Sequence, residues 1–82
     1  MQINILDCTL RDGGYYNRWD FNKDMVSDYL DVMSKSEITY VELGLRQIRS
    51  DRFLGPHAYT TDAYLSRLDM PKGPTYGVMI DA

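Results

Sequence analysis

Apolar positions recur every second residue near the start, the middle and the end of the chain, and at helical spacing in between. Ile3 to Leu10 has the period of a strand, with Leu6, Cys8 and Leu10 on one face and Ile3, Ile5, Asp7 and Thr9 on the other. Arg11-Asp12-Gly13-Gly14 ends it, because two successive glycines are a strong turn signal. Asn22 is placed to cap a helix from about Lys23 to Ser36, with Phe21 and Val26 set for a hydrophobic staple. Val26, Tyr29, Leu30 and Met33 fall at i, i+3, i+4 and i+7 and give that helix one apolar stripe. Thr39 to Leu45 is a second strand, with Val41, Leu43 and Leu45 opposite Tyr40, Glu42 and Gly44. A polar stretch follows, from Arg46 to about Tyr59, with Gly55-Pro56 inside it. Thr60 or Thr61 caps a short helix carrying Tyr64, Leu65 and Leu68, which Pro71-Lys72-Gly73-Pro74 breaks. Tyr76 to Ile80 is a third strand.

The order β-α-β-α-β predicts an α/β fold whose parallel strands are joined by right-handed helical crossovers. Three strands have an apolar face, but only two helices are available to cover them, and parallel sheets need both faces covered. Asp7, Thr9 and Arg11 share one face of the first strand; Glu42, Gly44 and Arg46 share one face of the second. Such faces, mixing polar and small residues, suit the upper interior of a barrel, with a half-buried doubly wound sheet as the competing geometry. A complete (β/α)8 barrel typically needs ~250 residues. The 82 residues are therefore expected to be the N-terminal part of a single barrel domain, holding the first three strands.

Composition narrows the function classes. The chain is 44% hydrophobic and 26% charged, which fits a soluble globular domain. A net charge of −3 argues against nucleic acid as the main partner. No apolar run approaches the ~18 residues of a membrane span, and Met1 to Leu10 lacks the basic start of a signal peptide. A single cysteine excludes an internal disulfide, so a cytoplasmic location is expected.

The segment richest in chemistry is Leu6-Asp7-Cys8-Thr9-Leu10-Arg11-Asp12-Gly13-Gly14. It sets a guanidinium beside a carboxylate at a strand end. A metal bound by the carboxylate could take the oxygens of a 2-oxo acid, while the Arg stabilises charge developing on the enolate oxygen. A surface salt bridge between Arg11 and Asp12 is the plain alternative. Asp-x-Thr-Leu-Arg-Asp-Gly, matched by Asp7 to Gly13, resembles the signature of the pyruvate-aldolase and acyl-CoA-condensing TIM barrels. These include 4-hydroxy-2-oxovalerate aldolase, hydroxymethylglutaryl-CoA lyase, isopropylmalate synthase and homocitrate synthase. Ile38 to Gly44 looks like the second strand of that family.

The resemblance implies a divalent-metal-dependent aldolase or lyase acting on a 2-oxo acid such as pyruvate. Asp12 would ligate the metal (Mn2+, Mg2+ or Zn2+), Arg11 would stabilise the enolate, and Thr9 would support the substrate or the Arg. Two further ligands in the family come from a His-x-His pair on a much later strand, and His57 is the only histidine here. A lone carboxylate cannot hold a catalytic metal, so these residues alone are expected to be catalytically silent. Gly14-Tyr15 replaces the acid-Gln or Leu-Gln pair of the synthases, which leans away from them. In 4-hydroxy-2-oxovalerate aldolase a histidine base stands three residues after the metal Asp. Tyr15 holds that position here, and its phenol serves only if a pKa of ~10 is matched to the task.

Other candidates have two readings each. Glu42 either binds substrate or forms a structural ion pair with Arg11 or Arg46. Arg46 and Arg49 either grip a carboxylate or phosphate or line a solvated loop. His57 is expected on the surface and Cys8 as a small buried hydrophobe. Tyr15, Tyr16 and Trp19 form a lid, an interface patch or ordinary loop packing. Asp81 carries a functional group or caps a turn. Two rivals to the aldolase reading are a non-catalytic barrel remnant that self-associates or binds a partner protein, and a barrel enzyme of phosphate-ester chemistry. Barrels of this kind often dimerise, so a homo-oligomer is an open expectation.

Overall fold

The computed structural model describes residues 3–47 and 53–80. The elements are β1 (Leu6–Asp7), α1 (Thr9–Asp12), α2 (Gly14–Asn17), α3 (Lys23–Lys35), β2 (Tyr40–Arg46), α4 (Pro56–Tyr59), α5 (Asp62–Leu65) and β3 (Thr75–Ile80). The three strands form one parallel sheet in the order β1-β2-β3, so the expected α/β architecture is observed. Arg49 and Asp81 lie outside the described residues.

The first strand is shorter than its alternation predicted, and its faces are reversed. The Asp7 carboxylate accepts the Thr9 amide, and the Cys8 carbonyl accepts the amides of Arg11 and Asp12. Side-chain acceptors of this kind offer the backbone an alternative to the ladder, so the chain turns into α1 after only two paired residues. Leu6 pairs with Tyr40 and Asp7 with Val41. Val41 is buried in the core, and the Tyr29 hydroxyl of α3 donates to Asp7. Asp7 therefore faces the helices, while Leu6 is half exposed on the open face.

The helix and core follow the pattern. Asn22 accepts the amides of Asp24 and Met25, which closes the N-terminus of α3. Val26 and Leu30 are buried with Leu10, Val41 and Leu43, and Phe21, Tyr29, Met33, Ile38, Tyr76 and Val78 pack around them. Each fully buried aliphatic side chain of this kind stabilises the fold by about 1.5–3 kcal/mol.

β2 contains a bulge. Val41 pairs with Tyr76 and Glu42 with Gly77, but Leu45 pairs with Met79 and Arg46 with Ile80. One extra residue on β2 is absorbed at Leu43-Gly44, and Gly44 has φ +148, a conformation reserved for glycine. The bulge swaps the faces beyond it. By register Leu45 falls on the same side as Glu42, where Trp19 and Ala58 bury it, and Arg46 turns to the opposite side, so the expected common face of Glu42, Gly44 and Arg46 is not formed. Thr61 caps α5 by accepting the Tyr64 amide, as its position predicted.

Candidate functional site

Arg11 and Asp12 follow the C-terminal end of β1, the end where open α/β folds and barrels place their ligands, and meet Glu42 one residue beyond the last β1–β2 pair. Arg11 arrives from α1 rather than from a strand, and Glu42 points from the open face of β2. Arg11 Nε lies 3.0 Å from Glu42 Oε2 and 3.3 Å from Asp12 Oδ1. The N–H is not aligned on the Glu42 oxygen, so both buried atoms lack a formed hydrogen bond although their charges are paired. The Arg11 and Glu42 side chains are 22% and 19% exposed, whereas Asp12 is 63% exposed. Arg11 Nη1 is within 3.0 Å of Met79 Sδ, a weak acceptor that an anionic oxygen would outcompete. Glu42 thus realises its structural pairing with Arg11, and it does so at a rim open to ligand. A groove of about 260 Å³ crosses the open face over Leu6, Tyr40, Glu42, Thr75 and Gly77.

Burial pulls the Arg11 pKa down, but the Cys8 thiol and the carboxylates of Glu42 and Asp12 outweigh it, so the net shift is upward. Cys8 is not the buried hydrophobe its spacing predicted. It is partly exposed, and its thiol donates to Asp12 Oδ2 at 3.3 Å. That hydrogen bond, followed by burial, raises its pKa.

The other candidates lie apart from this trio. Thr9 is on α1, not on a strand face shared with Arg11, and sits near the Tyr29 hydroxyl. Burial, then the bond to Asp7, raises the Tyr29 pKa. Tyr15 is 71% exposed and meets Trp19 edge-on at 4.7 Å. Arg46 donates through Nε and Nη2 to the Thr60 carbonyl and through Nη2 to Asp62. It borders a separate cavity of about 580 Å³ with Gln47, Tyr59, Thr61 and Asp62.

His57 is fully buried, which corrects its expected surface position. Its Nδ1 donates to the Leu43 carbonyl at 2.6 Å, and its Nε2 accepts the Tyr64 hydroxyl at 2.9 Å. Burial lowers its pKa, the Leu43 bond opposing this. Trp19, read from the sequence as lid, interface patch or loop packing, is a buried partner of Arg11, and Tyr29 is a structural partner that the sequence placed only in the apolar stripe of α3. A polar-tipped Tyr in an otherwise aliphatic stripe was the signal for Tyr29.

Asp12 suits one position of a divalent metal: an exposed carboxylate at the rim, hard in character. Among the described residues no three His, Cys, Asp or Glu side chains converge as a metal site, and Asp12 could supply one ligand. No helix among these residues is long and apolar enough to cross a membrane.

No protein-family profile and no curated protein matches the sequence. Among solved structures, the chain is similar to the N-terminal domain of a presumed aldolase from Bacteroides vulgatus, at 40% identity and a TM-score of 0.79. The match covers 95% of this chain and 25% of that one. The chain thus spans about a quarter of the length of its neighbour and is related to it in sequence as well as in fold.

Proposed function

We propose that this chain is part of a divalent-metal-dependent, aldolase-type carbon–carbon lyase that acts on a 2-oxo acid such as pyruvate. In this reading β1 to β3 are the first strands of a (β/α)8 barrel, and their open face is its interior. The observation that carries it is a guanidinium held between two carboxylates, Glu42 and the exposed Asp12, at the C-terminal rim of a parallel sheet. The 40% identity to the N-terminal domain of a presumed aldolase supports it.

Arg11 would receive the negative charge that develops on the substrate oxygen, with no reorganisation because Glu42 and α1 already fix it. Glu42 would hold Arg11 directed through their ion pair. A cation held in part by Asp12 would supply Lewis-acid polarisation of the 2-oxo acid. Tyr15, exposed on α2 with its ring against Trp19, is the proposed proton-transfer group. Thr9 would act through Tyr29 and Asp7 on the α1 turn, and Arg46 would offer a second anion contact at the neighbouring cavity. The test is exchange of the pyruvate methyl protons by the full-length protein. Exchange dependent on a divalent metal is expected; none with Mn2+, Mg2+, Zn2+ or Co2+ would overturn the proposal.

One observation favours the self-associating reading. Leu6, Tyr40 and Met79 are 51%, 44% and 46% exposed on the open face, apolar surface of the kind that a second copy or a partner covers. Light scattering separates the two, since a stable monomer with metal-dependent exchange leaves no place for it.

A further inference from the structure

Trp19 is the chain's one tryptophan, and it sits where two loops meet. Its ring is 7% exposed and packs with Leu45 and Ala58. Its indole Nε1–H donates to the Arg11 carbonyl at 2.8 Å. The ring lies so close over Gly14 that a Cβ there would stand 1.8 Å from Trp19 Cδ1. The backbone is held from the opposite side: the Trp19 carbonyl accepts the His57 amide at 3.3 Å, and the Arg18 carbonyl accepts the Gly55 amide at 2.8 Å. Arg18 and Trp19 have φ of 58 and 57, the left-handed region that favours glycine. Two successive non-glycine residues persist there only because their surroundings over-determine them, and such strain gathers at functional sites.

We infer that Trp19 is a positioning residue for Arg11. α1 is a single turn of four residues, too short to hold its shape unaided. The Arg11 carbonyl is clamped by the indole, and the indole is clamped by α4 and by Leu45 of β2. His57, which anchors the Trp19 carbonyl, also donates to the Leu43 carbonyl. A continuous path therefore runs from β2 through α4 and Trp19 to the backbone of Arg11, and it fixes where the guanidinium meets Glu42 and Asp12. A ring that merely fills space would tolerate loss of its N–H without effect on Arg11. The catalytic consequence rests on the proposed aldolase reading; the positioning itself does not.

The test uses the full-length protein with Trp19→Phe and, as a shape-preserving control, benzothienylalanine at position 19, in which sulfur replaces the N–H. The first readout is hydrogen exchange of the Arg11 backbone amide, which donates to the Cys8 carbonyl at 3.1 Å, by NMR. Both variants are expected to exchange it at least about tenfold faster, with amides of α3 and β2 unchanged. The second is pyruvate methyl-proton exchange, where the turnover falls roughly tenfold to hundredfold and KM stays within about twofold. Unchanged Arg11 exchange in the benzothienylalanine variant would overturn the inference. So would loss of protection throughout the fold, which would make Trp19 a packing residue. If the wild-type protein exchanges no pyruvate protons, the aldolase reading fails while the Arg11 readout still decides the positioning role.

Discussion

Replacing Gly44 with alanine probes the bulge that decides which side chains of β2 reach the open face. Gly44 has φ +148, and an added Cβ would stand 2.1 Å from the His57 carbonyl oxygen and 3.1 Å from Thr60 Cγ2. The oxygen belongs to backbone and cannot swing aside. α4 and its C-cap Thr60 are tied to β2 and the following Gln47 by three bonds: Gln47 amide to Ala58 carbonyl, Thr60 hydroxyl to Leu45 carbonyl, and His57 Nδ1 to Leu43 carbonyl. Relief of the clash must therefore move α4 or close the bulge. Backbone strain of this kind costs about 1–3 kcal/mol, and overpacking adds about 1–3 kcal/mol. The expected loss is about 2–6 kcal/mol, a large share of the ~5–15 kcal/mol that holds a typical domain. Urea unfolding of Gly44→Ala beside the wild type measures it, with a constant denaturant slope as the check that only stability changed. A loss below about 0.5 kcal/mol would refute the reasoning and mean that Gly44 is not held against His57.

His57 should make stability depend on pH. The folded chain lowers its pKa, so the unfolded chain binds a proton that the folded chain refuses; stability is whole above the ordinary value of ~6.5 and falls as pH drops below it. A urea midpoint that stays flat from about pH 7.5 to 5 would contradict this. Tyr29→Phe removes the hydroxyl bound to Asp7 and should cost about 1–3 kcal/mol, read as a lower Tm; an unchanged melt would show that Asp7 does not need it. Asp62→Ala breaks an ion pair whose carboxylate is 93% exposed, so it should change stability by less than about 1 kcal/mol, and a larger shift by urea titration would show the pair to be structural.

The α3 stripe and the caps at Asn22 and Thr61 were legible because each rests on spacing within one element. The pairing of Arg11 with Glu42 was one of two readings the sequence left open, and the structure realises it. The faces of β1 were misread because local bonding overrode alternation: Asp7 holds the Thr9 amide and turns the chain after two paired residues. The Gly13-Gly14 pair signalled a turn, yet neither glycine has positive φ. Gly14 is there because Trp19 lies against it, a contact between residues that period cannot show. The bulge at Gly44 was likewise hidden, since one inserted residue changes no pattern in β2 itself but reverses the face of Arg46. His57 followed a Gly-Pro pair in a polar stretch, and only the fold reveals the Leu43 carbonyl and Tyr64 hydroxyl that satisfy it in the core.

The most direct test of the central claim is the rate at which the full-length protein exchanges the methyl protons of pyruvate with Mn2+ present, compared with Asp12→Asn and Arg11→Lys. Asp12→Asn should abolish the metal dependence, and Arg11→Lys should slow exchange by roughly 10²–10³-fold, because a point charge replaces a fixed planar fork. Exchange at the wild-type rate in both variants would show that the rim formed by Arg11, Asp12 and Glu42 is not where the chemistry occurs.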